Sequence, residues 1–175
     1  HGAGAGIAIP KEAVMLSTIA LHLDHTERCE ARTLLAARLA RQHGSHLLGI
    51  VPTGVQAGAA TLPQAPETAA LMAAASLYQR RRAEAVAHVF RCRLRDAGSP
   101  PCEIRLVHGD PVDAVVDHGH GSDLVVVGQP DRQAAVDARA RQLPEEVMLH
   151  AGRPVLVVPR AGRFDAAVDR VLVAW

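Results

Sequence analysis

His22, Asp24 and His25 set two imidazoles and a carboxylate in one short stretch, and His118 with His120 forms a second pair among the ten histidines of the chain. Such side chains hold divalent metals when they converge. The elements that carry the two groups place them at opposite edges of a sheet, so a shared ion is not expected. Asp24 and Asp110 are of the type that accepts a phosphoryl group, but that chemistry needs several clustered acids around Mg²⁺, and each strand end here offers one. Cys29 and Cys102 have no evident paired base, and the chain contains no G-x-S-x-G, P-loop or H-E-x-x-H. Cys29, near a helix start, has two readings: a thiol of lowered pKa, or a small apolar residue buried in the helix. One further stretch bears on function, Ser122 to Pro130, an apolar run that stops at Gly128-Gln129-Pro130. In a parallel sheet a ligand lies at the turn after such a strand.

The surrounding residues supply the elements that position these groups. Val14 to Leu23 reads as a buried strand, and Asp24 followed by Glu27 as a capping-box-like helix start. In the helix from there to His43, Ala31, Leu35 and Leu39 recur at helical spacing, leaving Arg28, Arg32, Arg38 and Arg41 to face solvent. His46 to Val51 is a second strand. Thr53 to Ala65 has no periodicity and reads as a long surface loop. Pro66-Glu67 opens a helix to about Ala97 with Leu71, Ala74, Tyr78, Ala85 and Val89 on its inner face. Its Arg80-Arg81-Arg82 run is read as a solvated face, with anion binding as the alternative. Cys102 to Val107 is a third strand, and Val112 to His118 a short helix with Val112, Val115 and Val116 inward. After the strand ending at Gly128 comes an irregular polar stretch, Asp131 to Gln142. A helix then starts at Pro144-Glu145-Glu146 and ends at Gly152, and Pro154 to Val158 is a last apolar strand. Strands alternating with helices imply right-handed crossovers and a doubly wound parallel α/β sheet.

Composition narrows the function classes. The chain has 175 residues, enough for one ordinary domain, and its 49% hydrophobic content with 2% aromatic means a core of Val, Leu, Ile and Ala. A net charge of +1 gives no reason to expect nucleic acid or an anionic membrane as partner. Cys29, Cys92 and Cys102, an odd set without C-x-x-C spacing, fit a reducing cytoplasm. Residues 1–14 resemble neither a signal peptide nor a membrane span and are read as an extension or expression remnant, with Met15 as a natural start.

Taken in order, the residues resemble the universal stress protein family. The resemblance rests on the first strand ending in Asp24 before an Arg/Ala/Leu helix, on Val107-His108-Gly109-Asp110-Pro111, on Asp123-Leu124-Val125-Val126-Val127-Gly128, and on Gly152-Arg153-Pro154-Val155-Leu156-Val157-Val158-Pro159. It spans roughly 15–160. It implies a five-stranded sheet of order 3-2-1-4-5, an adenine-nucleotide α-hydrolase-like fold, and homodimer or tandem-domain pairing through the edge strand Val155, Leu156, Val157 and Val158. Arg170 to Trp175 looks like the first strand of a second such domain, so 161–175 is read as a linker and the start of a tandem copy. Left without that copy, it is expected to pair with a sheet edge.

The same resemblance implies a nucleotide pocket at Asp24, Val51, Val127, Gly128 and Gln129, with Asp24 facing the adenine and ribose; a helix N-cap is the other reading of that side chain. ATP-binding members follow the fourth strand with G-x2-G-x9-G-[ST], whose glycines let backbone N–H groups close around phosphates. Only Gly128 is present: Asp131 stands at the second glycine and Arg141-Gln142 at the final pair. The pocket is therefore expected to be vestigial, with no cofactor and no tight ATP binding, unless Arg132, Arg139 and Arg141 hold an anion by side chains. The leading expectation is a non-catalytic, cytoplasmic stress-response domain acting by association. The alternative is an adenine-nucleotide-binding switch or weak ATPase with a divergent phosphate loop; a metal-dependent hydrolase would require bound metal.

Overall fold

Each short apolar run becomes a strand whose alternate side chains enter two separate cores. The computed structural model describes residues 16–54, 66–98, 100–130 and 138–164. Five parallel strands, β1 (Thr18–His22), β2 (His46–Pro52), β3 (Cys102–Val107), β4 (Leu124–Gly128) and β5 (Val155–Val158), form one sheet of order β3-β2-β1-β4-β5. Ile19, Leu21, Leu47 and Val126 pack on one side with α1 (Cys29–His43) and α2 (Pro66–Asp96). Ala20, Leu48, Ile50, Val125 and Val127 pack on the other with α3 (Pro111–Gly119) and α4 (Ala138–His150). Burial on both faces is why these strands read as nearly continuous apolar runs. The order reverses between β1 and β4, which opens a crevice at their carboxyl ends. Asp123 ties the opposite ends of these strands together, its carboxylate accepting from Ser17 N and Thr18 N at 2.7 and 3.0 Å.

Several boundaries and faces differ from the sequence reading. The first strand begins at Thr18, and α1 begins at Cys29 with Arg28 at its N-cap position and no side-chain cap. Asp24 is therefore not the helix cap: its Oδ1 instead accepts from Thr26 N, closing a local turn before α1. Of the four arginines assigned to solvent, Arg32 is 2% exposed, and Arg28 and Arg38 are half-buried. In α2 the inner face is Ala83, Ala87, Phe90 and Leu94, whereas Leu71, Ala74, Tyr78, Ala85 and Val89 are exposed. A helix of 31 residues is about 46 Å long against about 23 Å for a seven-residue strand. Its amino-terminal half thus outruns the sheet, and its apolar spacing finds no partner surface among the described residues. Gly49 in β2 admits the helix on the sheet side: a Cβ there would meet Leu23 Cδ1 at 2.8 Å and Phe90 Cε1 at 3.2 Å.

α4 starts six residues before Pro144, so Arg141 and Gln142 are helical and the proline lies inside the helix. Most of the loop read at Thr53 to Ala65, the segment 131–137 and the tail after Phe164 lie outside the described residues, as does the proposed tandem strand. β5 is an edge strand, as its order in the sheet requires. No helix among the described residues is long and apolar enough to cross a membrane.

Candidate functional site

A cavity of about 660 Å³ opens at the carboxyl ends of β1, β2 and β4. Its floor is built where β1 runs out of partners. Leu23 N still donates to Ile50 O at 2.8 Å, after which Asp24 turns away from the sheet. Asp24 is held from two sides: Oδ1 accepts from Thr26 N at 2.9 Å, and Oδ2 lies 2.9 Å from Arg32 Nη2. Arg32 rises from the first turn of α1, and its Nε donates to His22 O at 2.9 Å. Nη2 makes no hydrogen bond of good geometry, so its contact with Asp24 is an ion contact.

The remaining guanidinium nitrogen accounts for Gly128. A Cβ built at Gly128 would lie 1.9 Å from Arg32 Nη1 and 3.1 Å from Arg32 Cζ. The glycine that ends β4 therefore gives room to a buried guanidinium, which covers its Cα. The following turn is tied to the chain beyond β5: Gln129 N donates to Val158 O at 2.9 Å, and Arg160 N donates to Gln129 Oε1 at 3.1 Å.

Burial and charge set the protonation of this floor. Burial disfavours the Asp24 carboxylate, but Arg32, then His22, and the Thr26 hydrogen bonds outweigh it and hold the carboxyl well below the usual carboxylate range. Burial, opposed by Asp24 and aided by Arg32, lowers the His22 imidazole from its ordinary 6.5 to about 4. His22 is thus neutral in the folded protein at neutral pH. The unfolded chain binds more protons between about pH 4 and 6.5, so stability is full above 6.5 and falls as pH drops through that window, by roughly 3 kcal/mol for a group shifted this far. Asp24 adds a loss in the same direction at lower pH. Urea unfolding at a series of pH values is expected to show a shallower decline in His22→Gln than in the wild type between pH 6.5 and 4; equal slopes would exclude His22 as the source. Cys29 is half-buried against the core, and its partial burial pushes the thiol up, opposite to the activated reading.

Of the residues predicted to form the site, Asp24, Val51, Gly128 and Gln129 line the cavity together. Val127 does not; its side chain is fully buried in the core under α3 and α4, because neighbouring strand residues point to opposite faces. Asp110 is the N-cap of α3, accepting from Val112 N at 2.8 Å. His120 Nε2 lies 3.2 Å from His150 O, away from His22 and Asp24. Among the described residues no group of three or more His, Cys, Asp or Glu side chains is placed to hold a metal. Asp131 and Arg132 lie outside the described residues, whereas Arg141 lines the cavity. Arg28, Arg32, Arg82 and Arg160 were not predicted there. For Arg32 a signal existed: with Leu35, Ala36 and Leu39 it continues the buried stripe of α1 by one turn.

The doubly wound parallel sheet, with its crevice beside the first and fourth strands, has the adenine-nucleotide α-hydrolase-like fold of the similar solved structures. The model of the universal stress protein family matches residues 15–159. The chain belongs to that family. Among solved structures, it is similar to a universal stress protein in complex with cAMP (20% identity, TM-score 0.57, covering 82% of this chain and 97% of that one). It is also similar to universal stress protein UspA from Lactobacillus plantarum (18% identity, TM-score 0.61, 81% and 97% covered). A third is the universal stress protein from Archaeoglobus fulgidus in complex with dAMP (18% identity, TM-score 0.58, 82% and 98% covered). No curated protein sequence matches significantly.

Proposed function

We propose that this is a non-catalytic universal stress protein domain that acts by association and does not hold ATP tightly. The observation that carries the reading is the position of Arg32, whose guanidinium engages Asp24 and covers Gly128. The carboxylate and the glycine that the family resemblance assigns to a nucleotide are thereby occupied from within. Asp131 and Arg141-Gln142 stand in place of the other glycines. Association is assigned to β5, an edge strand whose Val155, Leu156 and Val157 remain only half-buried, through pairing with a second copy or a tandem domain. Nucleic acid and membrane are not among the proposed partners.

A second reading, an adenine-nucleotide-binding switch, is favoured by the cavity itself: Val51, Ala83 and Val86 supply an apolar wall, and two similar proteins are described with cAMP and dAMP. The two readings separate by thermal shift and by mass spectrometry of the protein as purified. The first predicts no co-purified adenine nucleotide and no stabilisation by ATP with Mg²⁺ beyond that of Mg²⁺ alone. Stabilisation by ATP that disappears in Asp24→Ala would replace it with the second, because a micromolar ligand at a hundredfold excess over its Kd adds about 2.7 kcal/mol.

A further inference from the structure

Among the described residues the cavity is lined by five arginines, Arg28, Arg32, Arg82, Arg141 and Arg160, against two carboxylates, Asp24 and Glu27. They come from separate parts of the chain: the turn before α1, α1 itself, α2, α4 and the segment after β5. Asp24 is already engaged by Arg32. Arg28 is partly engaged, its Nη2 donating to Gly162 O at 3.1 Å while its buried Nε has no acceptor; Arg82 and Arg141 line the cavity without an ion pair or hydrogen bond to any described residue. On the outer surface Arg80, Arg93 and Arg105 instead pair with Glu84, Glu30 and Glu103. Arg82 also faces His25, whose protonation is disfavoured first by burial and then by this arginine. A concave site lined by more guanidinium groups than carboxylates concentrates field lines from one sign of charge. Guanidinium forks match the oxygens of phosphate groups, and they need no backbone cradle to do so.

We propose that the cavity receives a compact polyanion of the phosphate class, held by the side chains of Arg82 and Arg141 with Arg28 beneath them, independently of adenine and of Mg²⁺. This rests on the reading that Arg32 has displaced the glycine-cradled nucleotide mode, and it replaces backbone recognition with side-chain recognition in the same crevice. Arg32 is a positioning residue in this scheme, because its guanidinium is committed to Asp24 and His22 O. The ligand is defined by charge and by its oxygens, which a free diphosphate and the phosphate end of a small organic molecule share.

Isothermal titration of the full chain with inorganic pyrophosphate, without metal, tests this directly, with ribose 5-phosphate in a parallel arm. Binding of pyrophosphate alone points to the free anion, and binding of both to a phosphate carried on an organic body. Either is expected to weaken at least about tenfold in the Arg82→Gln/Arg141→Gln variant and to weaken as salt is raised. The Arg80→Gln/Arg81→Gln variant, altered on the outer face of the same helix, is expected to bind as the wild type does, and unliganded melting curves establish that both variants fold. Binding of neither probe overturns the proposal, as does binding that both double variants weaken equally. A separate arm with ATP and Mg²⁺ keeps the two readings apart: micromolar ATP affinity in the wild type, whether or not Arg82→Gln/Arg141→Gln weakens it, removes the non-ATP reading, whereas silence in every arm removes only the polyanion site.

Discussion

Arg32→Met is expected to destabilise the fold by about 3 kcal/mol, the cost of leaving one member of a buried ion pair without the other. Arg32 is 2% exposed, and its guanidinium has three neighbours: His22 O, Asp24 Oδ2 and the Cα of Gly128. The methionine refills much of the volume, so what is removed is chiefly charge and hydrogen bonding. His22 O then loses a donor, and Asp24 keeps only the hydrogen bonds from Thr26. The Asp24 side chain is 22% exposed, so water recovers part of the loss and the value stays at the low end for buried pairs. Removing both charges in Arg32→Met/Asp24→Asn is expected to be less damaging than Arg32→Met alone, because the unpaired carboxylate is what costs most. Chemical denaturation of the two variants checks the order; additive losses would mean that the residues act independently.

Gly128→Ala is expected to cost about 1–3 kcal/mol, as over-packing does. The backbone is not the reason, since Gly128 has no left-handed φ among the glycines that do. A Cβ would stand 1.9 Å from Arg32 Nη1, far inside contact distance. An arginine tip on the surface would swing aside at little cost, but this one is fixed through Nε to His22 O and through Nη2 to Asp24. Displacing it breaks the same contacts that Arg32→Met removes. The losses of the two variants are therefore expected to overlap, with Arg32→Met/Gly128→Ala little worse than Arg32→Met. A glycine kept for phosphates would show no such coupling.

How much of this was legible in the residues depends on whether the determining contact is local. The ends of β3 and β4 follow from apolar runs and the turn residues just after them, whereas the strand order came only with the family resemblance, and the cap at Asp110 was not read in advance. Asp24, Val51, Gly128 and Gln129 were named through the family resemblance, and they line one crevice because a doubly wound topology brings those strand ends together. Arg32 escaped because arginine is ordinarily a surface residue, and only a carboxylate eight positions earlier and a glycine on another strand make its burial possible. The inner face of α2 escaped for a different reason. Its alanines allow several apolar stripes at helical spacing, and the length of the sheet, which the helix sequence does not contain, decides which one is covered. Val127 shows the limit of motif transfer: within one strand, adjacent residues serve the core and the crevice in turn.

The central claim is that a buried arginine has taken the place of the nucleotide at the end of β1 and β4. Isothermal titration of the wild-type chain with ATP and Mg²⁺ tests it most directly. The account predicts no saturable heat in the micromolar range; a micromolar Kd with one nucleotide per chain would contradict it.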